Sequence, residues 1–156
     1  MKHLLLASAA AATIALASAP AQASTLVDTG APANSGGYAV TTTQNLAALV
    51  TFTNNVTLSS IQSYFVRATG VKYTISLFGT QPGETLPTNV RPPIFSSSFI
   101  GAAGNGLQGL AGLNWHVNSG NYWVAFSSDD TTSVTGLING VPHPLSGYAY
   151  NGGNNS

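Results

Sequence analysis

The sequence predicts an all-β chain: a single antiparallel β-sandwich of the jelly-roll kind, preceded by a signal-peptide helix. Three observations predict it. Apolar residues alternate with period two over short segments. The segments recur roughly every 8 to 15 residues. Gly, Pro and Asn clusters stand between them, where turns need residues that tolerate unusual backbone angles.

The first 23 residues read as a leader rather than as part of the fold. Met1-Lys2-His3 is a short basic start, Leu4 to Ala19 is an uncharged Leu/Ala-rich run, and Ala21-Gln22-Ala23 is a small-x-small cleavage site. The run has 16 residues, short of the ~20 that span a bilayer. Cleavage after Ala23 leaves Ser24 to Ser156, 133 residues. That length suffices for one domain with its own core. The expected division is leader 1–23, sandwich 24–150 and a disordered tail 151–156. Export places the chain outside the cytoplasm: extracellular, at the cell surface or in the periplasm.

The strands follow in order. Ala48, Val50 and Phe52 alternate with Leu49, Thr51 and Thr53. Asn54-Asn55 makes a turn, and Val56-Thr57-Leu58 begins a return strand, so this region reads as a hairpin continued through Ile61 to Val66. Val71, Tyr73, Ile75 and Leu77 point one way, and Lys72, Thr74 and Ser76 the other. Pro82 to Pro93 is a long connection that opens on the Pro82-Gly83-Glu84 turn. Ile94 to Ile100 sets Phe95 and Phe99 against Ser96 and Ser98. Leu107, Leu110 and Leu113 have helical spacing, but Gly106, Gly109 and Gly112 interleave with them. Glycine at that density opposes a helix, so the stretch reads as a loop. Leu113–Val117 and Asn121–Phe126 flank Asn118-Ser119-Gly120, a second hairpin by composition. Leu145 to Tyr150 is the last strand.

Composition excludes several classes. The whole chain has four Lys/Arg, four Asp/Glu and no cysteine. Disulfides, Cys-based zinc sites and Cys nucleophiles are therefore out. So few basic residues make no nucleic-acid footprint. The mature part keeps Arg67, Lys72 and Arg91 against Asp28, Glu84, Asp129 and Asp130. Ser, Thr and Asn make up 44 of its 133 residues, so its surface is a coat of hydroxyls and amides.

The candidate chemistry is correspondingly thin. His143, with Asp129 or Asp130 and one of many serines, spells a triad on paper, but no Gly-x-Ser-x-Gly elbow selects the serine. Glycoside hydrolysis needs two carboxylates across a cleft. Glu84 lies in one turn and the Asp129–Asp130 pair in another. The expectation is no enzyme and no obligatory cofactor. Asp129 and Asp130 are the candidate Ca²⁺ ligands, although calcium takes six to eight oxygens. Trp115, Trp123, Tyr148 and Tyr150 are the candidate ligand platform, because aromatic faces suit the apolar faces of pyranose rings. Against this, Tyr122, Val124 and Phe126 share one strand face and Trp123 and Ala125 the other, the pattern of a central strand.

Several segments together resemble the secreted bacterial domains associated with PEP-CTERM sorting signals, also called choice-of-anchor proteins. They are Gly30-Ala31-Pro32, Leu46 to Phe52, Thr57 to Phe65, Tyr73 to Phe78 with Pro82-Gly83, Leu113-Asn114-Trp115, Ser119 to Phe126, and Gly140 to Leu145 with Gly147 to Tyr150. The resemblance implies an exported β-sandwich without defined catalytic residues, associated with biofilm and exopolysaccharide. It implies extracellular polysaccharide or cell-surface components as partners. A sorted member continues into Val-Pro-Glu-Pro, an apolar helix and an Arg cluster. Here Val141-Pro142 is followed by His143-Pro144 and the sequence given stops at Ser156. The expectation is a relative lacking the sorting tail and a transmembrane anchor, with a sheet edge left open for association.

Overall fold

The computed structural model describes residues 38–66, 69–82, 84, 91–130, 134–136 and 147–152. The leader, Asp28, Arg67 and His143 lie outside the described residues. Every element described is a strand. The first four are β1 (Tyr38–Val40), β2 (Gln44–Phe52), β3 (Val56–Val66) and β4 (Lys72–Gly79). The others are β5 (Phe95–Ile100), β6 (Gly106–Val117), β7 (Gly120–Ser128), β8 (Val134–Gly136) and β9 (Gly147–Gly152). They form two sheets, ordered β1-β8-β3-β6 and β5-β4-β7-β2-β9. All pairings are antiparallel.

The period-two pattern decides which side chains meet. Tyr73, Ile75 and Leu77 of β4, Val124 and Phe126 of β7, and Leu46, Val50 and Phe52 of β2 face one core. Leu58 and Phe65 of β3 and Leu110, Trp115 and Val117 of β6 meet them from the other sheet. The two sheets therefore pack face to face, and aromatic pairs cross the gap. Phe65 sits 4.6 Å from Tyr73, and Phe95 stacks on Trp115 at 5.2 Å with the rings 10° apart. Such contacts combine large apolar burial with ring–ring attraction. β7 lies inside its sheet, as its two apolar faces require. Its outer face carries a second cluster, Trp123 and Ala47 with Leu49, Phe78 and Ala125.

Neither expected hairpin is one. β2 and β3 lie in different sheets, and so do β6 and β7. Each short turn carries the chain across the gap instead of back along its own sheet. The physical reason is coverage. Hairpins at both places would put all these apolar faces on neighbouring strands of one layer and leave no layer to cover them. The strands pair as β1 with β8, β2 with β7, β3 with β6 and β4 with β5. This is one antiparallel ribbon, folded over so that its two halves become two sheets. The two corners lie side by side, where Asn55 Oδ1 accepts a hydrogen bond from the Ser119 amide at 3.0 Å.

The glycine-rich stretch is a strand, not a loop. Gly109 stands opposite Gln62, and a methyl group there would collide with the Ile61 carbonyl oxygen. Gly112 lies where the β3–β6 register shifts, with φ of +70°. That is the left-handed region, which glycine enters without steric cost. These glycines oppose a helix as expected, but they serve close strand approach and a bulge. β9 extends through Asn151 and Gly152, two residues beyond the expected last strand, and pairs with Gln44 to Leu49 of β2.

Candidate functional site

The expected aromatic platform does not form from the tryptophans. Trp115 is 9% exposed and lies in the core against Phe95. Trp123 is 2% exposed and lies on the opposite face of its sheet. The two indoles are separated by a sheet and present no ring face to a ligand. Trp115 points from β6 into the gap between the sheets, whereas Trp123 lies on the outer face of β7 among Ala47, Leu49, Phe78 and Ala125. Tyr148 and Tyr150 lie in β9 opposite Ala48 and Leu46, and their side chains are outside the described part of the structure.

Asp129 and Asp130 mark the exit of β7. The Asp129 amide donates to the Lys72 carbonyl at 3.2 Å. The Asp130 amide donates to Ser128 Oγ at 3.0 Å, and its carbonyl accepts from the Thr42 amide at 2.9 Å. These main-chain bonds tie the exit of β7 to β4 and to the turn after β1. Among the described residues no three of His, Asp and Glu gather as a metal site needs. One electrostatic effect reaches the core. Burial pushes the Tyr73 hydroxyl up to about 12, and the charge of Asp130 adds to the shift. That hydroxyl is buried with no hydrogen-bond partner.

The feature that sequence reasoning missed lies on the β4–β5 connection. Glu84 appeared there as a turn residue, yet its side chain is only 8% exposed. It accepts the Gln81 amide at 2.8 Å through Oε2. Arg91 Nη2 donates to both carboxylate oxygens, at 2.6 Å to Oε1 and 2.5 Å to Oε2. The Arg91 side chain is 36% exposed. A charge this buried is stable only when paired and hydrogen-bonded. The pair therefore clamps the two ends of the long connection. Its only sequence signal was one acid and one base inside a single Pro-rich segment, separated by seven positions.

The clamp walls a shallow cleft. One lobe, about 240 Å³, has Phe78, Pro92 and Ile94 beside Glu84 and Arg91. A second, about 370 Å³, adds Leu49, Pro82 and Asn121. Both share Thr80, Gln81 and Glu84. Asn121 is held in place: its side-chain oxygen accepts from Thr51 Oγ1 at 2.7 Å and its carbonyl from Thr80 Oγ1 at 3.1 Å. Apolar walls with amide and guanidinium groups at the rim can seat a small neutral, hydroxyl-bearing molecule. Among the described residues the cleft offers one carboxylate, Glu84. Asp129 and Asp130 lie at the other end of β7, a strand of nine residues, which at ~3.3 Å per residue is roughly 25 Å away. Paired glycosidase carboxylates stand about 5–10 Å apart, so Glu84 and the Asp pair are not such a couple.

The remaining histidine of the described part, His116, is exposed on β6. Its Nδ1 lies 2.9 Å from Thr57 Oγ1, directly across the β3–β6 ladder. On the outer face of β4 and β5, Thr74 pairs with Ser98 at 2.8 Å and Ser76 with Ser96 at 3.0 Å. These are cross-strand hydroxyl ladders of the kind that reinforce a sheet. No protein-family model, curated protein or solved structure matches the chain.

Proposed function

We propose that this chain is an exported, non-catalytic module with a jelly-roll β-sandwich fold. It acts at the cell surface or in the extracellular matrix, as the resemblance to PEP-CTERM-associated domains implies. The strand order supports the jelly-roll reading, since a ribbon bent into two four-stranded halves is the jelly-roll plan, with β9 added at one edge. One observation carries the functional reading: several chemically versatile side chains among the described residues are engaged in the fold. Trp115 and Trp123 are buried, Glu84 holds Arg91, and His116 meets Thr57. The fold by itself does not fix a role, so the reading rests on these side chains and on the leader.

The experiment is expression with the native leader in a Gram-negative host. The expected product is a folded protein outside the cytoplasm that begins at Ser24. A full-length chain retained in the cytoplasm would refute export.

A second reading is carbohydrate binding, and the cleft at Gln81, Asn121 and Arg91 favours it over the tryptophans. Calorimetric titration with neutral oligosaccharides tests it. Binding that Asn121→Ala weakens supports this reading, and binding that Asn121→Ala leaves unchanged counts against it.

A further inference from the structure

Strand β5 and the residue before it read Ile94-Phe95-Ser96-Ser97-Ser98-Phe99-Ile100, a palindrome centred on Ser97. Among the described residues β5 is also an edge strand, with β4 on one side only. The register shows which main-chain groups are left over. The Gly101 amide donates to the Val71 carbonyl at 2.8 Å. Phe99, Ser97 and Phe95 therefore bond to β4 in turn, opposite Tyr73, Ile75 and Leu77. Ser96, Ser98 and Ile100 aim their N–H and C=O groups away from the sheet.

Natural edges are usually blunted by a charge, a proline or a bulge. Here Pro92, Pro93 and an irregularity at Ile94, whose amide bonds to the Leu77 carbonyl opposite Phe95, guard only the start, and Ser96 to Ile100 carries no charge, proline or bulge. At its two ends stand two of the large apolar side chains most exposed among the described residues, Ile94 at 54% and Ile100 at 63%. Uncharged segments of this kind pair with their own copies.

We infer that β5 is a self-association edge, pairing antiparallel with β5 of a second copy about a twofold axis at Ser97. A palindrome in an antiparallel pair sets like against like. Ser96 meets Ser98 of the second copy and Phe95 meets its Phe99, and the pairing stops short of Ile94, whose amide already bonds to the Leu77 carbonyl at 2.8 Å. The outward main-chain groups of Ser96 and Ser98 fall opposite each other in this register, as a hydrogen-bonded pair requires. The Thr74–Ser98 and Ser76–Ser96 hydroxyl rows continue across the junction. The contact is isologous, so it closes as a dimer rather than growing into a filament.

The test is sedimentation velocity on the purified protein over a concentration series. The wild type is expected to form a dimer. Ser98→Pro removes an amide that bonds only across the junction, which edge positions tolerate, and should weaken the dimer at least about tenfold. The S96K/S98K and S96E/S98E double variants should each be monomeric, and an equimolar mixture should restore a dimer by opposite-charge pairing. Leu107→Ser on β6, an edge strand of the other sheet, should leave the dimer unchanged. A wild type that stays monomeric, double variants that dimerise like the wild type, a mixture that stays monomeric, or loss of the dimer in L107S would each overturn the inference.

Discussion

Asn55 and Ser119 stand 64 positions apart in the chain, and their hydrogen bond joins the two turns at which the ribbon crosses from one sheet to the other. Each turn alone specifies little. Together they set where both halves of the ribbon bend. Phe52 pairs with Gly120 on one side of the corner, and Val56 with Val117 on the other.

Removing the Asn55 side chain should therefore loosen the corner. Asn55→Ala is expected to cost about 1 kcal/mol, the ordinary net worth of one hydrogen bond. Asn55→Asp keeps an acceptor and should recover most of it. Urea unfolding of the two variants is the measurement, and equal losses would show that the bond does not organise the turn.

The glycines of β6 predict two different penalties. Gly109→Ala drives a methyl group into the Ile61 carbonyl oxygen and should cost about 1–3 kcal/mol, as overpacking does. At Gly112 there is open space around a Cβ, but φ is +70°. Gly112→Ala should cost about 1–2 kcal/mol through the backbone alone. Gly112→Asn should cost less than Gly112→Ala, because asparagine tolerates the left-handed region. Thermal unfolding separates the two mechanisms.

Both indoles are buried, and this has an optical consequence. Tryptophan emission should be blue-shifted and resist acrylamide. Trp115→Ala should cost about 3–5 kcal/mol, as for other large core truncations. Red-shifted emission that acrylamide quenches freely would contradict the burial of the two indoles.

Tyr73 sets an alkaline limit. Its hydroxyl, at about 12 in the folded protein, titrates near 10 in an unfolded chain. The folded state holds this proton more tightly, so the contribution is complete below pH 10 and is lost as pH rises through about 12. Tyr73→Phe removes the titration and a hydroxyl without a hydrogen-bond partner. It should flatten stability across that window and leave neutral-pH stability equal or about 1 kcal/mol higher. Denaturant melts from pH 8 upward measure both effects.

The sequence disclosed its strands more readily than their partners. Alternation in Val71 to Leu77 and in Tyr122 to Phe126 identified the core faces, because burial of one strand face depends only on period two. It could not tell a hairpin from a crossing. Asn54-Asn55 and Asn118-Ser119-Gly120 suit either one, and the choice depends on strands far along the chain. The first half of β6 hid because Gly112 breaks the alternation at the bulge, although Leu113 to Val117 was legible as a strand. The burial of Trp123 was legible, since a strand apolar on both faces belongs inside a sheet. The Glu84–Arg91 clamp was not legible, because no periodicity relates two residues of one irregular connection.

Glu84 provides the most direct test of the claim that ionisable side chains here serve the fold. Its carboxylate is buried and holds Arg91. Glu84→Gln keeps the size and removes the charge, and the free energy of unfolding of the two proteins is the quantity to compare. A structural clamp predicts a loss of about 1–3 kcal/mol, less than the penalty for breaking a fully buried pair because Arg91 is partly solvated. Residues held for a ligand or a reaction often behave the other way, since function is maintained at the expense of stability. Unchanged or higher stability in the Glu84→Gln protein would contradict the structural reading and make the cleft a working site.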